Sequence, residues 1–517
     1  MSAQVAAQVP APVDATAGNG ATGAPRVLLL TEGTYPHVVG GVSTWCDLLV
    51  RGLPDLQWAV FAFTAGDVGE PVFELPPQVR ATGRLHLWGT ARVPRPPGPR
   101  RARTRTRNRV HLAAEIVEGL LGWSSDPLAL VEGLVWCRLH PDRLVSTFRD
   151  EDTWHHYTVA LARVLTGADG SSGPAPAFDL SRAVDLYQTV YWLARAAAEP
   201  TPSADVSLVT AAAWCSLPAA VDKALHGRPV VLSEHGLYVR ESYLAAVRSS
   251  DPAAARFLTT RLARGLSRLT YAIADVVAPV TEANAAWEEA LGVARERIVA
   301  IPNGVPVPGD PRPAPRSRTV VSVGRLDPLK DVHTMLRVAA AVRRRVPDVT
   351  FRHYGPVPQG QEAYGDSCLA LHRELDLGAS FEFMGATTDP TGVMGEADVV
   401  LMTSISEGFP MSVLEALSQA RPVVTTLVGG VLDAVRGAGL TAPPGDVHAL
   451  ADAVTTLLVD PDLAEQLGER GHRRVLRLFG QQRCLDGYDV LLRAVAPSPL
   501  DVGPADLPTT TAAGAGR

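Results

Sequence analysis

Two carboxylates, Glu407 and Glu415, stand with seven residues between them in VLMTSISEGFPMSVLEALSQARPVVTT, Val399 to Thr425. Pro410 suits the first position of a helix, where its missing N–H costs nothing, and MSVLEALSQA continues with helix formers until Pro422. The loop carrying Glu407 should therefore end at a helix N-terminus, whose unpaired N–H groups and partial positive charge seat a phosphate. A carboxylate beside a phosphate seat repels it unless it has another task, and binding sugar or ribose hydroxyls is the natural one. The plainer alternative is a helix start with a solvated glutamate.

Arg325 and Lys330 follow the apolar run TVVSV, in a loop expected at the same edge of the same sheet. An Arg fork and a Lys point charge converging on a helix N-terminus make a site for a diphosphate. Two ordinary loop cations are the alternative. In the first half of the chain, His235 follows the strand Pro229 to Ser233, a place for a polar contact or an acid–base group as well as for a structural histidine. Gly40 and Gly41 stand where a loop meets a helix beginning near Val42; they could admit a ligand to the backbone or simply make a turn.

These residues need elements to hold them, and the chain alternates strands with helices. RVLLLT, QWAVFAF, Val206 to Ala211, Pro229 to Ser233 and Asp275 to Pro279 read as strands, and IVAIPNGV (Ile298 to Val305) as a further strand ending in a sharp turn. PVPGDPRPAPRSR is a Pro-rich linker. TVVSV, VTFRHYG, SFEFMG, DVVLMT and PVVTT then give five strands of a second alternation, followed by an apolar-periodic helical stretch from Asp446 to Phe479. The fold expected is α/β, with two Rossmann-like domains facing a central cleft. The domains expected are 25–302, with an insertion at about 83–202, and 318–480. Residues 303–317 are the linker, 481–495 a helix, and residues 1–24 and 496–517 disordered tails.

Composition narrows the function. With 517 residues, 46% hydrophobic, and a net charge of −6, the chain is not built mainly to bind nucleic acid. Five scattered cysteines lack metal or redox spacing and suit reduced, buried thiols. The absence of an apolar run of membrane length or a signal-like start points to a cytoplasmic protein. Eight arginines lie between Arg92 and Arg109 with four prolines and no acid. The run reads either as a solvated insertion or as a footing on an anionic membrane at the inner membrane face, a lipid-linked acceptor or an acidic partner.

Together, Gly324-Arg325 with Lys330, IPNGV, and EGFPMSVLEA before RPVV resemble the family-four retaining glycosyltransferases of the GT-B fold. LLLTEGTYPHVVGGVSTWCDLLVRGLP and SEHGLYVRE further resemble the Pel-type exopolysaccharide glycosyltransferase subgroup, which implies a sugar nucleotide donor, expected to be UDP-glucose. The resemblance spans roughly residues 26–495. It implies that Arg325 and Lys330 hold the donor diphosphate, with no metal or other cofactor needed. Glu407 would bind donor hydroxyls, and Glu415 the ribose. The backbone of Gly408, Phe409, Pro410, Met411, Ser412, Val413 and Leu414 would face sugar and phosphates. Gly40 and Gly41 would approach the diphosphate from the opposite domain, His235 would contact the transferred sugar, and the last helix would cross back to the first domain. The sequence departs from the family pattern at Ala420, where glycine is frequent.

The expected activity is transfer of a hexose to an acceptor hydroxyl with retention at the anomeric carbon, in exopolysaccharide or other glycoconjugate synthesis. No separate carboxylate nucleophile is evident beneath the sugar, and the resemblance implies a front-face substitution. One rival is a catalytically silent GT-B module that binds a sugar nucleotide and regulates a membrane polysaccharide synthase. Another, a nicotinamide-dependent oxidoreductase, lacks the G-x-G-x-x-G fingerprint.

Overall fold

The computed structural model describes residues 24–33, 35–66, 69–88, 108–122, 126–167, 178–311, 313–358 and 360–496. Both tails, but for their innermost residues, and the arginine run except Arg109 lie outside the described residues. Arg109 is engaged locally, with Glu115 at 2.9 Å and Glu132 at 3.1 Å.

Two six-stranded sheets organise the described chain. The first contains β1 (Arg26–Glu32), β2 (Gln57–Thr64), β3 (Val79–His86), β4 (Val206–Val209), β5 (Val230–Glu234) and β6 (Val276–Pro279) in the order β3-β2-β1-β4-β5-β6. The second contains β7 (Thr319–Val323), β8 (Thr350–Tyr354), β9 (Phe381–Gly385), β10 (Val399–Met402), β11 (Val423–Thr426) and β12 (Gly439–Ala442) in the order β12-β11-β10-β7-β8-β9. All ladders are parallel, with Leu29 between Val60 and Leu208 in the first sheet. Both sheets thus have the doubly wound order, and the winding reverses between β1 and β4 and again between β7 and β10. Loops leaving neighbouring strands at such a reversal diverge to opposite faces and open a crevice for ligands.

Burial explains the apolar strand sequences. Val27 to Leu30, Val206 to Val209, and Val399 to Met402 are covered on both faces. On one face of the first sheet lie the helices Leu112–Leu121, Glu151–Leu165, Leu180–Ala198 and Ala253–Ile273, whose Ile116, Leu120, Leu161, Leu193 and Leu266 join the strand core. On its other face lie the helix Gly41–Gly52 and the last helix, Gln481–Val495, which sends Tyr488, Leu491 and Leu492 against Val27 and Leu29. The last helix therefore crosses from the second domain back to the first. All five cysteines are free and buried.

Several local expectations change. Val79–His86 is an edge strand, so β3 begins before residue 83 and belongs to the sheet. IVAIPNGV is not a strand: Ile298 bridges Val277 alone, and Val305 bridges Gly480. The stretch from Asp446 to Phe479 is two helices, Val447–Val459 and Pro461–Leu478, because Asp460 caps the second through Leu463 N and Pro461 starts it. Pro410 lies just outside its helix, which runs Met411–Ser418; its extended backbone (φ −74°, ψ 114°) makes it the cap. Ala420 has φ 55°, the left-handed region that glycine enters without strain, which accounts physically for glycine at this position in the resembling family.

Candidate active site

The second sheet's reversal point brings two loops together. Asp327 shapes the loop after β7: its carboxylate accepts from Leu329 N at 2.9 Å and from Lys330 N at 3.3 Å, and pairs with Arg325 at 3.2 Å. Thr403, just beyond β10, donates its hydroxyl to the Lys330 carbonyl at 2.9 Å. Lys330 thereby points across to the loop after β10, where its Nζ meets Glu407 Oε1 at 2.5 Å. Glu407 is 11% exposed, so its charge is largely withdrawn from water and held by a single cation. Arg325 is different, at 62% exposure and with Asp327 as its ion-pair partner. It lies on the same loop as Lys330 and makes no recorded bond to Glu407 among the described residues.

Beyond Glu407, Gly408 to Leu414 lead into the helix. Phe409, Val413 and Leu414 bury their side chains among Met402, Val431 and Phe479, so only their backbone can face a ligand. Pro410 is buried too, while Met411 and Ser412 are half-buried. Glu415 lies in the helix, and its carboxylate makes no hydrogen bond or ion pair among the described residues. Burial pushes its carboxyl up to about 7.

The first domain meets this loop from the other side. Gly408 packs so closely that a Cβ there would come 1.7 Å from the carbonyl oxygen of His235. Arg240 donates to the Glu407 carbonyl at 3.0 Å. A Cβ on Gly430 would meet Thr281 at 2.1 Å, and one on Gly41 would meet Met411 at 3.8 Å. Gly40 and Gly41 are exposed, and Gly40 has extended backbone that needs no glycine. The structure thus gathers Lys330, Glu407, Gly408, Met411, Gly41 and the His235 backbone at one seam, with Arg325 and Glu415 at its margins. Beside Lys330, within the second domain, a space of about 10 Å³ lies among Ser322, Gly324, His353, Thr403 and Ser404. A larger cavity of about 650 Å³ lies elsewhere, at the crossing of the last helix, lined by Val305, Gly480, Gln481 and Arg483.

His235 is held by residues whose importance the sequence did not signal. Its ring stands edge-on to Trp45 at 4.3 Å, and its Nε2 lies 3.3 Å from Ser233 Oγ. Ser233 Oγ in turn bonds the Tyr488 hydroxyl at 2.6 Å, tying the ring to the crossing helix. Burial pushes His235 down to about 4, with Asn303 beside it pulling the other way, so the imidazole is neutral near pH 7. Asn303 and Arg240 were within the IPNGV and SEHGLYVRE blocks, but nothing in their spacing distinguishes them from loop polar residues. Next to His235, Glu234 is fully buried and bonds the Tyr271 hydroxyl at 2.8 Å; it lies against Glu288, and burial raises both carboxyls.

Two doubly wound sheets with their reversal-point loops facing across a seam define the GT-B architecture. The same architecture is found in Anabaena HepE in complex with UDP and glucose: TM-score 0.57, 16% identity, covering 91% of this chain and all (100%) of that one, a likeness of fold alone. Residues 25–296 match the family described as Domain of unknown function (DUF3492), and the chain belongs to that family. Residues 317–460, which include the Lys330 and Glu407 loops, match the family described as Glycosyl transferases group 1. An exopolysaccharide phosphotransferase of Streptomyces coelicolor is 32% identical over 203 residues, 38% of this chain and 21% of that protein. A D-inositol 3-phosphate glycosyltransferase of Corynebacterium urealyticum is 31% identical over 227 residues, 40% of this chain and 53% of that protein. The chain thus spans about a fifth and about half of these two relatives. No helix among the described residues is long and apolar enough to cross a membrane.

Proposed function

We propose that this chain is a retaining glycosyltransferase that moves a hexose from a sugar nucleotide, UDP-glucose by preference, to an acceptor hydroxyl in exopolysaccharide or other glycoconjugate synthesis. One observation carries the reading: Lys330 and Glu407, from loops on either side of the sheet reversal, meet at 2.5 Å beside the start of the Met411–Ser418 helix. That arrangement supplies a cation for a leaving phosphate and a carboxylate for sugar hydroxyls. Relatives named for glycosyl transfer and a fold neighbour that binds UDP and glucose support the donor class.

In this mechanism the sugar nucleotide enters when the seam parts, and the Lys330–Glu407 pair divides its partners. Lys330, Arg325 and the backbone N–H groups at Met411 and Ser412 receive the diphosphate. Glu407 accepts from sugar hydroxyls and Glu415 from the ribose. Negative charge grows on the departing phosphate as the anomeric bond lengthens, and fixed cations already aimed at it lower the barrier without reorganising. His235, neutral, orients the sugar by hydrogen bonding instead of supplying charge. The leaving phosphate takes the acceptor proton on the face it departs from, giving retention. No step calls on a metal. Residues 25–302 serve as the acceptor side, 303–317 as the linker and 318–480 as the donor side. The arginine run Arg92–Arg109 is a peripheral contact to an anionic membrane or a membrane synthase, with the chain at the cytoplasmic face.

Anomeric NMR of the product, with UDP-glucose and a panel of acceptors, tests the reading. A product with the donor's α configuration supports it. Inversion refutes the retaining mechanism, and no turnover of any sugar nucleotide refutes the enzyme.

A further inference from the structure

The first sheet has its own reversal point, between β1 and β4, and the residues there are not used by the donor chemistry above. Glu32, the last residue of β1, crosses that reversal: its Oε2 accepts from Cys215 N, just beyond β4, at 3.1 Å. The Tyr238 hydroxyl, three residues beyond His235, lies against Trp214 and Glu32. Trp214 packs edge-on against Trp88 at 5.2 Å, and Trp88 against Trp192 at 6.4 Å.

The wall formed by these side chains starts at Glu32 and ends at the surface at Trp88. Trp214 is 5% exposed and Trp88 48% exposed, so the edge-on pair runs from the core to the surface. Trp88 also has φ 64°, a left-handed backbone that a tryptophan adopts only at a cost. It stands just past β3, at the carboxyl edge of the sheet where ligands of doubly wound folds bind. An exposed aromatic face leading inward to a half-buried carboxyl and a phenol matches one chemistry: the apolar face of a sugar ring stacks on the indole while its hydroxyls bond the inner polar groups. A lipid tail would make no use of the acceptor sites that Glu32 keeps beyond its bond from Cys215 N, and a small polyol would not need the indole. Burial raises Glu32 to about 7, so it carries a proton for part of the physiological range and can donate as well as accept.

We propose that Trp88, Trp214, Tyr238 and Glu32 form the acceptor subsite and that the acceptor is a carbohydrate whose sugar ring stacks on Trp88. This rests on the glycosyltransferase reading, because it takes the acceptor to lie across the seam from the donor groups.

The test is titration of the full chain with maltotriose, cellotriose and chitotriose, followed by tryptophan emission, with UDP binding measured calorimetrically on the same samples. At least one trisaccharide should shift the emission. Trp88→Ala should weaken that trisaccharide about threefold to tenfold, Trp88→Phe should restore most of the affinity, and both should bind UDP as the parent does. Glu32→Gln should weaken the trisaccharide and flatten the pH dependence of its binding between pH 6 and 8. If UDP binds and no trisaccharide does, or if Trp88→Ala binds the trisaccharide unchanged, the subsite is refuted while the donor reading stands. If UDP itself does not bind, the donor reading falls, and with it the basis of the proposal.

Discussion

Gly408→Ala tests whether the two domains must close for catalysis. The added methyl would sit 1.7 Å from the His235 carbonyl oxygen, which belongs to the backbone and cannot swing away. An ordinary C···O contact needs about 3.3 Å, so the loop or the first domain must retreat by about 1.6 Å. Gly408 is not in the left-handed region, so alanine is conformationally acceptable there and the strain falls on the seam. Displacing reacting groups by about 1 Å can cost about 100-fold in rate, and the shift here is larger. We expect UDP release from UDP-glucose to fall by at least about 100-fold. Both domain cores are untouched, so the melting temperature should move by only a few degrees. Small-angle scattering should show that the donor no longer draws the variant to the radius of gyration of the closed parent. Parental turnover with parental scattering would show that closure through Gly408 is not part of the mechanism.

Other residues give sharper single readouts. Ala420→Gly relieves a φ of 55° and should stabilise the chain by about 1 kcal/mol, seen as a rise in melting temperature with unchanged donor binding; a fall would mean the alanine methyl packs usefully. Glu288→Gln concerns the buried pair with Glu234, which faces Tyr271 and, on its own side, Arg295 and Glu282. Because burial raises these carboxyls above their unfolded value of 4.5, the native state holds more protons than the unfolded one above that pH, and stability is lost as pH rises. The variant should therefore lose less stability than the parent between pH 5 and 8 in thermal melts, and parallel pH profiles would contradict the pairing. For Glu415, raised to about 7 by burial, UDP affinity should weaken as pH falls from 8 to 6, since the neutral carboxyl is the poorer acceptor for ribose hydroxyls. Glu415→Gln should abolish that dependence and cost about 10-fold in affinity; an unchanged profile by calorimetry would remove Glu415 from the nucleotide site.

The fold was legible wherever a strand is buried on both faces. RVLLLT, DVVLMT and PVVTT are apolar because water never reaches them, and such runs announce themselves. Edge strands do not. VRATGRLH alternates polar and apolar residues because much of it is exposed, and GLTA at the opposite extreme of the other sheet is short and half polar. IVAIPNGV misled in the other direction: Ile298 and Val299 are buried, yet Pro302 has no N–H to extend a ladder and the segment makes only isolated bridges, at Ile298 and Val305. At the candidate site, residue types could be read from spacing and resemblance, but their pairings could not. That Lys330 meets Glu407 while Arg325 turns to Asp327 depends on how two loops from strands far apart in sequence come together. Arg240, Asn303 and Trp45 acquire their roles only through packing between distant segments, and no local pattern marks them.

The most direct measurement is nucleoside diphosphate release from a panel of sugar nucleotides by the parent chain and by Lys330→Ala, with donor affinity measured calorimetrically alongside. The parent should turn over one donor, UDP-glucose by preference. Lys330→Ala should lose about 100-fold to 1,000-fold in turnover, the cost of removing one group aimed at developing charge, and should still bind nucleotide. Near-parental turnover by Lys330→Ala would contradict the leaving-group site. Binding by the parent with neither hydrolysis nor transfer would make the chain a sugar-nucleotide-binding module instead of an enzyme.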